Sequence, residues 1–141
     1  MGTVYVEITL KNARDVGNQA EGLIKAPDIH ETTVQAIVDT GAMSLVINEE
    51  TRQKLGLSIQ SEKPARLANG QLVACKITEP VEVHWKDRQT ACQALVIPGA
   101  TTILLGAIPL EGMDLMVNPV SRELVGAHGD DVEYLVLSTL Q

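Results

Sequence analysis

The apolar residues of this chain come in short runs, and none repeats at helical spacing over a long stretch. Val4-Tyr5-Val6-Glu7-Ile8-Thr9-Leu10 alternates apolar and polar positions, the period of a half-buried strand. Thr32 to Val38 forms a second such segment, and Ser44-Leu45-Val46-Ile47 a short β-branched run after it. Hydrophobic residues make up 45% of the chain, yet Phe is absent and aromatics reach only 2%, so the core these runs build is aliphatic.

The breaks between runs are as informative as the runs. Asn48 is placed as a helix N-cap, with Glu49 and Glu50 in the first turn where the helix dipole favours anions. Leu55 closes that short helix, and Gly56 fits the position just past its end. Asn69-Gly70 is a strong hairpin-turn dipeptide. Val73 to Trp85 reads as one or two strands broken near Pro80, and Gln93 to Ile97 as another, ended by Pro98-Gly99. Ile103-Leu104-Leu105 is a buried-strand signal stopped by Gly106. Pro109 then opens a short helix running to about Leu115. Asn118-Pro119 marks a turn, Glu123-Leu124-Val125 a strand, and Val132 to Leu137 a last apolar strand able to pair with a partner. Lys11 to Ile29 is polar and Gly-containing, and reads as a loop or long hairpin connection. The expectation is one domain over 1–141, mostly β, with one or two short helices and no internal repeat.

Charge and cysteine usage exclude several function classes. The net charge of −7 argues against nucleic acid and against an anionic membrane surface, both of which reward Lys and Arg clusters. No apolar run approaches the roughly 18 residues of a membrane span. Met1 to Leu10 lacks the basic stretch and apolar core of a signal peptide, so a cytoplasmic protein is expected. Cys75 and Cys92 lie far apart with no CxxC pair and are expected as two reduced, partly buried thiols. His30, His84 and His128 show no metal-ligand spacing with them or with one another, so no metal and no cofactor is expected. A GxSxG nucleophile and a Gly-rich phosphate loop are both missing. Asp130-Asp131 reads as a solvated turn, and Met113 and Met116 as core residues.

One motif carries chemistry. In Val34-Gln35-Ala36-Ile37-Val38-Asp39-Thr40-Gly41-Ala42 an apolar strand delivers a carboxylate to its end, and a glycine two residues on permits a tight turn. An Asp in such a place can simply cap its own turn. Val38-Asp39-Thr40-Gly41-Ala42, however, resembles the active-site sequence of retroviral-type aspartic proteases, the retropepsins. Ile103-Leu104-Leu105-Gly106 resembles that family's second element, an apolar pair followed by Gly just before a helix. The Asn69-Gly70 turn stands between them, where the family has its flap hairpin. The three occur in the family's order over about Val4 to Val125. The wider run Leu104 to Glu111 is similar to a small prokaryotic group within the same clan. Two positions depart from the retroviral pattern: Ala107 stands where a charged or amide residue usually follows the second Gly, and Met43-Ser44 where an acid is usual.

The resemblance implies a retropepsin-like closed β-barrel, half of an acid protease, with Asp39, Thr40 and Gly41 at the catalytic centre. It further implies substrate contacts from Ala42, from Gly106 and from a flap at Ala68, Asn69 and Gly70. Peptide hydrolysis by this chemistry needs two carboxylates around one water. The chain holds a single Asp-Thr-Gly, so a homodimer sharing Asp39 across a two-fold axis is expected, acting on a peptide or protein substrate. A retropepsin-fold binding or dimerisation module with weak or no activity is the alternative. An unrelated β-rich interaction domain would require the three-part match to be coincidence.

Overall fold

The computed structural model describes residues 3–129, so the expected strand at Val132 to Leu137 and the turn at Asp130-Asp131 lie outside it. Nine strands and three short α-helices follow in the order β1 (Val4–Asn12), α1 (Ala13–Ala20), β2 (Glu31–Val38), β3 (Leu45–Ile47), α2 (Glu49–Lys54), β4 (Ile59–Arg66), β5 (Leu72–Trp85), β6 (Arg88–Val96), β7 (Ile103–Leu105), α3 (Ala107–Gly112), β8 (Leu115–Asn118) and β9 (Glu123–Gly126). The chain is mostly β, as its short apolar runs imply, with three α-helices rather than one or two.

Six strands close into a barrel. The sheet order is β1-β2-β7-β3-β6-β5, and β1 pairs again with β5, Leu10 opposite Val83, to complete the ring. β4 hangs on the outer side of β5, and β8 and β9 form a separate antiparallel ribbon. Period-two alternation decides what fills the barrel. Ile8 and Leu10 of β1, Ala36 of β2, Leu45 and Ile47 of β3, Val81 and Val83 of β5, Ala94 of β6 and Leu105 of β7 are all almost fully buried in one cluster. Closure leaves few free edges on this core, which suits a chain without aromatic bulk.

β7 lies between β2 and β3, strands that follow one another in sequence. It runs parallel to β2, with Val38 beside Leu105, and antiparallel to β3, with Leu45 beside Leu105. The connection from Val38 to Leu45 therefore has to cross the end of β7.

The structure differs from the sequence expectations in four places. Lys11 to Ile29 is not a loop. β1 continues to Asn12, whose side-chain oxygen accepts from the Asp15 amide at 3.2 Å and caps α1, and a 3₁₀ turn follows over Ala26–Asp28. The same buried Asn12 donates to the carbonyls of Leu55 at 2.9 Å and Gly56 at 3.3 Å, tying α1 to the end of α2. α1 itself, Ala-Arg-Asp-Val-Gly-Asn-Gln-Ala, contains Gly17 and Asn18, poor helix formers, so local sequence hides it. Secondly, β5 is not broken at Pro80. The register against β6 shifts between Ile77 and Pro80, and Thr78 bridges the bulge by accepting from the Ala94 amide at 3.1 Å. Thirdly, α3 stops at Gly112. Asp114 turns the chain with φ 55°, and Leu115 already begins β8. Fourthly, Met113 is core but Met116, on the open face of β8, is 47% exposed. The expected cap of α2 is present: Asn48 accepts from the Thr51 amide at 2.8 Å, and Gly56 takes φ 59° just past the helix.

Candidate active site

Asp39 continues the β2 ladder by one bond, its amide donating to the Leu105 carbonyl at 3.0 Å. The chain then turns sharply. The Ala42 amide donates to the Asp39 carbonyl at 3.1 Å, and the Gly41 amide donates to Asp39 Oδ1 at 3.0 Å. The carboxylate is thereby oriented by its own loop while remaining half-buried, beside the exposed Thr40 and Gly41. A Cβ on Gly41 would stand 3.2 Å from that same Oδ1, tighter than ordinary packing.

Gly106 holds the loop from behind. A Cβ there would meet Ser44 O at 2.3 Å, Ala42 O at 2.6 Å and Ser44 N at 2.9 Å, all of them backbone. Only glycine permits this approach. With the approach made, the Ala107 amide donates to Ala42 O and the Ile108 amide to Met43 O, both at 2.8 Å. Asp39, Thr40, Gly41, Ala42 and Gly106 are thus gathered into one backbone-locked unit, although 67 positions separate Asp39 from Gly106 in the sequence (106 − 39).

Asn69-Gly70 sits at the tip of the β4–β5 hairpin, with Gly70 at φ 84°. The tip is closed by bonds within the hairpin: Leu67 N–H to Gln71 O at 2.8 Å, Gly70 N–H to Leu67 O at 2.9 Å and Gln71 N–H to Asn69 Oδ1 at 2.9 Å. Residues 72–75 of β5 pair with β4 alone, because β6 ends opposite Lys76. The hairpin therefore projects beyond the barrel as a two-stranded arm carrying Ala68, Asn69 and Gly70 at its exposed end. The hydrogen bonds of that end stay within the hairpin, so these three are not joined to the Asp39 unit.

Residues near Asp39 that the sequence reading passed over become visible in the strand register. Tyr5 pairs with Ile37, Ile37 with Leu104, Leu104 with Val46, Val46 with Leu95, and Leu95 with Ile77. Paired residues share a face, so these six form one apolar row on the side of the sheet away from the barrel interior, exposed at Tyr5, half-buried at Ile37, Leu104 and Leu95, and buried at Val46 and Ile77. Ile37 precedes Asp39 by two positions on the same face, about 7 Å of strand rise. The usable signal was the unbroken apolar run at two strand ends: Ile37 between Ala36 and Val38 in β2, and Leu104 between Ile103 and Leu105 in β7. A cavity of about 590 Å³ lies further along, lined by Asn48, Glu49, Glu50, Lys76 and the Val96–Thr101 segment. It opens at the far end of β3, away from the Asp39 loop.

Each of the three histidines stands beside a carboxylate. His30 Nδ1 lies 2.7 Å from Asp15, His84 Nε2 2.8 Å from Glu82, and His128 Nδ1 2.6 Å from Asp114, three separate pairs. Among the described residues no cluster of three His, Cys, Asp or Glu side chains is placed to share a metal ion. Cys75 is buried and Cys92 half-buried, and both are free thiols. The buried Glu79 receives Arg14 at 2.9 and 3.1 Å and the Ser58 amide at 2.8 Å. The Arg14 guanidinium above all, against the opposing effect of burial, holds its carboxyl down to about 2. Burial raises Asp15, but hydrogen bonds from the His30 amide and ring outweigh it and its net displacement is downward.

A closed six-stranded barrel with a carboxylate at a strand end, a close-packed glycine behind it and a projecting hairpin defines one half of an acid protease of the retropepsin type. The family model described as Aspartyl protease matches residues 27–109, a span from before β2 into α3, and the chain belongs to that retropepsin-like family. Among curated proteins, none matches it. No helix among the described residues is long and apolar enough to cross a membrane.

Proposed function

We propose that the chain is an aspartic endopeptidase acting as a homodimer, with the Asp39 carboxylates of two copies around one water. The observation that carries this reading is the locked loop. Asp39 is half-exposed, oriented through Oδ1 by the Gly41 amide, and fixed to β7 through Leu105 and Gly106. A turn-capping Asp needs none of the tight packing behind it.

In this mechanism one Asp39 is ionised and the other protonated, since two adjacent carboxylates do not both ionise cheaply. The ionised one takes a proton from the water, whose oxygen bonds to the peptide carbonyl carbon. The protonated one gives its proton to the carbonyl oxygen. Collapse of the resulting diol breaks the C–N bond, and a proton passes to the departing nitrogen, leaving a carboxylic acid and an amine. Gly41 N–H keeps the carboxylate plane fixed through these transfers. Ala42 and Gly106 shape the floor beside the carboxylates, and the hairpin end at Ala68, Asn69 and Gly70 covers the bound peptide. The half-buried apolar side chains of Ile37 and Leu104, on the row nearest Asp39, support a preference for aliphatic side chains beside the cut bond.

The test is Asp39→Asn, which keeps volume and turn geometry while removing both carboxylates of the dimer at once. Cleavage of a peptide library should fall at least about 1,000-fold, since general acid–base catalysis contributes about 10²–10⁴-fold and both its acid and its base are removed. Thermal melting should be unchanged or slightly higher. Equal cleavage by a well-folded variant would end the proposal.

A further inference from the structure

We propose that the cavity of about 590 Å³ at the far end of β3 is a second ligand site, which takes a short aliphatic peptide with both termini free. Its volume lies within the range of small-molecule sites. The proposal does not depend on Asp39 and would hold for a chain that cleaves nothing.

The cavity and the apolar row beside Asp39 lie on opposite faces of one sheet. Val96 pairs with Ile47 on one side and with Lys76 on the other, and Ile47 and Val96 are both buried in the core cluster. Lys76 therefore continues the core-facing side past the end of the barrel. Leu95 and Ile77, each one position away, belong to the other face. The wall of the cavity is fixed before anything binds. Asn48 caps α2 through the Thr51 amide, and its side-chain nitrogen donates to the Thr101 carbonyl at 3.4 Å. The Ala100 amide closes the segment onto the Ile97 carbonyl at 3.1 Å. Lys76 is also the first residue of β5 to pair with β6, so a ligand held there grips the root of the projecting arm.

The lining selects the occupant. Among the described residues the Lys76 ammonium makes no hydrogen bond and no ion pair, although Glu62 stands opposite it on β4. Glu49 receives Arg52 and, at 3.5 Å, Gln53, all on Oε1, which leaves Oε2 without a partner among the described residues. The Arg52 hydrogen bonds above all, against the opposing effect of burial, hold the Glu49 carboxyl below its ordinary range, and Lys76 adds a smaller pull in the same direction. Glu50, the other acid of the lining, is already paired with Lys54 at 3.3 Å. The rest of the wall is largely apolar, with Val96, Ile97, Pro98 and Ala100. The amides of Gly99 and Thr101 donate to no described residue. A dileucine-like peptide complements each of these: its carboxylate suits Lys76, its ammonium Glu49, its side chains the apolar wall and its carbonyl a free amide. A ligand with a single charge leaves one of the two charged groups unanswered.

Chemical-shift titration by NMR with dileucine, N-acetyl-dileucine and dileucine amide tests the site on the full chain. Dileucine should bind saturably at millimolar concentration or below. Each capped form should bind at least about tenfold more weakly, because each loses one charge-assisted contact. Lys76→Met should bind dileucine and its amide equally, since the group that tells them apart is gone, and Glu49→Gln should do the same for dileucine and its N-acetyl form. Ala100→Trp fills the cavity and should bind none of the three. Lys63→Met removes a lysine from the other face of the arm and should match wild type. Asp39→Asn should bind dileucine with wild-type affinity, and all variants should keep the wild-type circular dichroism. The proposal is overturned by a wild type that shows no saturable shift, by a Lys76→Met protein that still prefers dileucine to its amide, or by full binding in Ala100→Trp. Loss of dileucine binding in a folded Asp39→Asn protein would place the peptide in the cleft and overturn it as well. A wild type that binds dileucine with the expected order of probes yet cleaves no peptide supports this site and defeats the endopeptidase reading alone.

Discussion

Gly106→Ala is the substitution that most directly probes how the fold holds the candidate site. The added methyl would stand 2.3 Å from Ser44 O, 2.6 Å from Ala42 O and 2.9 Å from Ser44 N. All three are backbone atoms, so no side chain can rotate away. Relief requires β7 and the 42–44 segment to separate by about 1 Å, since unstrained carbon contacts lie near 3.5 Å. Separation stretches the bonds from Ala107 N to Ala42 O and from Ile108 N to Met43 O, both now 2.8 Å. Overpacking of this kind costs about 1–3 kcal/mol, and weakening two backbone bonds adds about 1 kcal/mol more. A total near 3 kcal/mol lowers the melting temperature by about 10 °C in a chain of this size. The same displacement moves Asp39, so peptide cleavage should fall by more than the stability loss alone explains. Gly41→Ala is the contrast. Its new Cβ meets only Asp39 Oδ1 at 3.2 Å, so melting should move by under about 3 °C while activity drops, because the carboxylate must turn. Differential scanning fluorimetry beside a fluorogenic peptide assay reads both effects. A Gly106→Ala protein melting within about 2 °C of wild type with full activity would refute the close-packing argument.

The remaining predictions concern groups away from the loop. Glu79 has its folded-state value depressed from 4.5 to about 2 by Arg14, so its contribution is fully present above about pH 4.5 and is lost as pH falls through about 2. That displacement corresponds to at most about 3 kcal/mol, and because the Arg14 side chain is 53% exposed and screened by solvent, about 1–2 kcal/mol is expected. Glu79→Gln should therefore destabilise at pH 7 and flatten the loss of stability below pH 4.5; a melting curve unchanged at both pH values would contradict the pairing. Burial pushes the Cys92 thiol up to about 11, and Cys75 is buried, so an aromatic disulfide reagent at neutral pH should titrate both only as the protein unfolds. Prompt reaction of either thiol in the native state would count against that placement.

The positions of most strands along the chain were legible from short apolar runs and period-two patterning, and the best-marked features were those with local causes. Asn48 caps α2, Gly56 and Gly70 take positive φ, and Gly106 stops β7, each because of its own backbone chemistry. Asp39-Thr40-Gly41 was legible for the same reason: a strand, an acid and a turn residue are adjacent in the chain. What stayed hidden has non-local causes. α1 has a weak intrinsic helix signal, and it is held by Asn12 reaching the Leu55 and Gly56 carbonyls across the fold. β4, Ile59 to Arg66, is almost wholly exposed and polar, and it is a strand only because β5 offers it a pairing edge. Pro80 reads locally as a break, but neighbouring strands absorb it as a bulge.

An aliphatic β structure and a carboxylate at the end of the second strand follow from local pattern alone, because alternation and turn chemistry act between neighbouring residues. What that carboxylate rests on depends on packing between distant strands. Insertion of β7 between β2 and β3 brings Gly106 against Ala42 and Ser44, and, with β6 pairing on the other side of β3, lines up Ile37, Leu104, Val46 and Leu95 as one row. Those contacts join segments about sixty residues apart, and their register follows from which faces must be buried together rather than from any local preference.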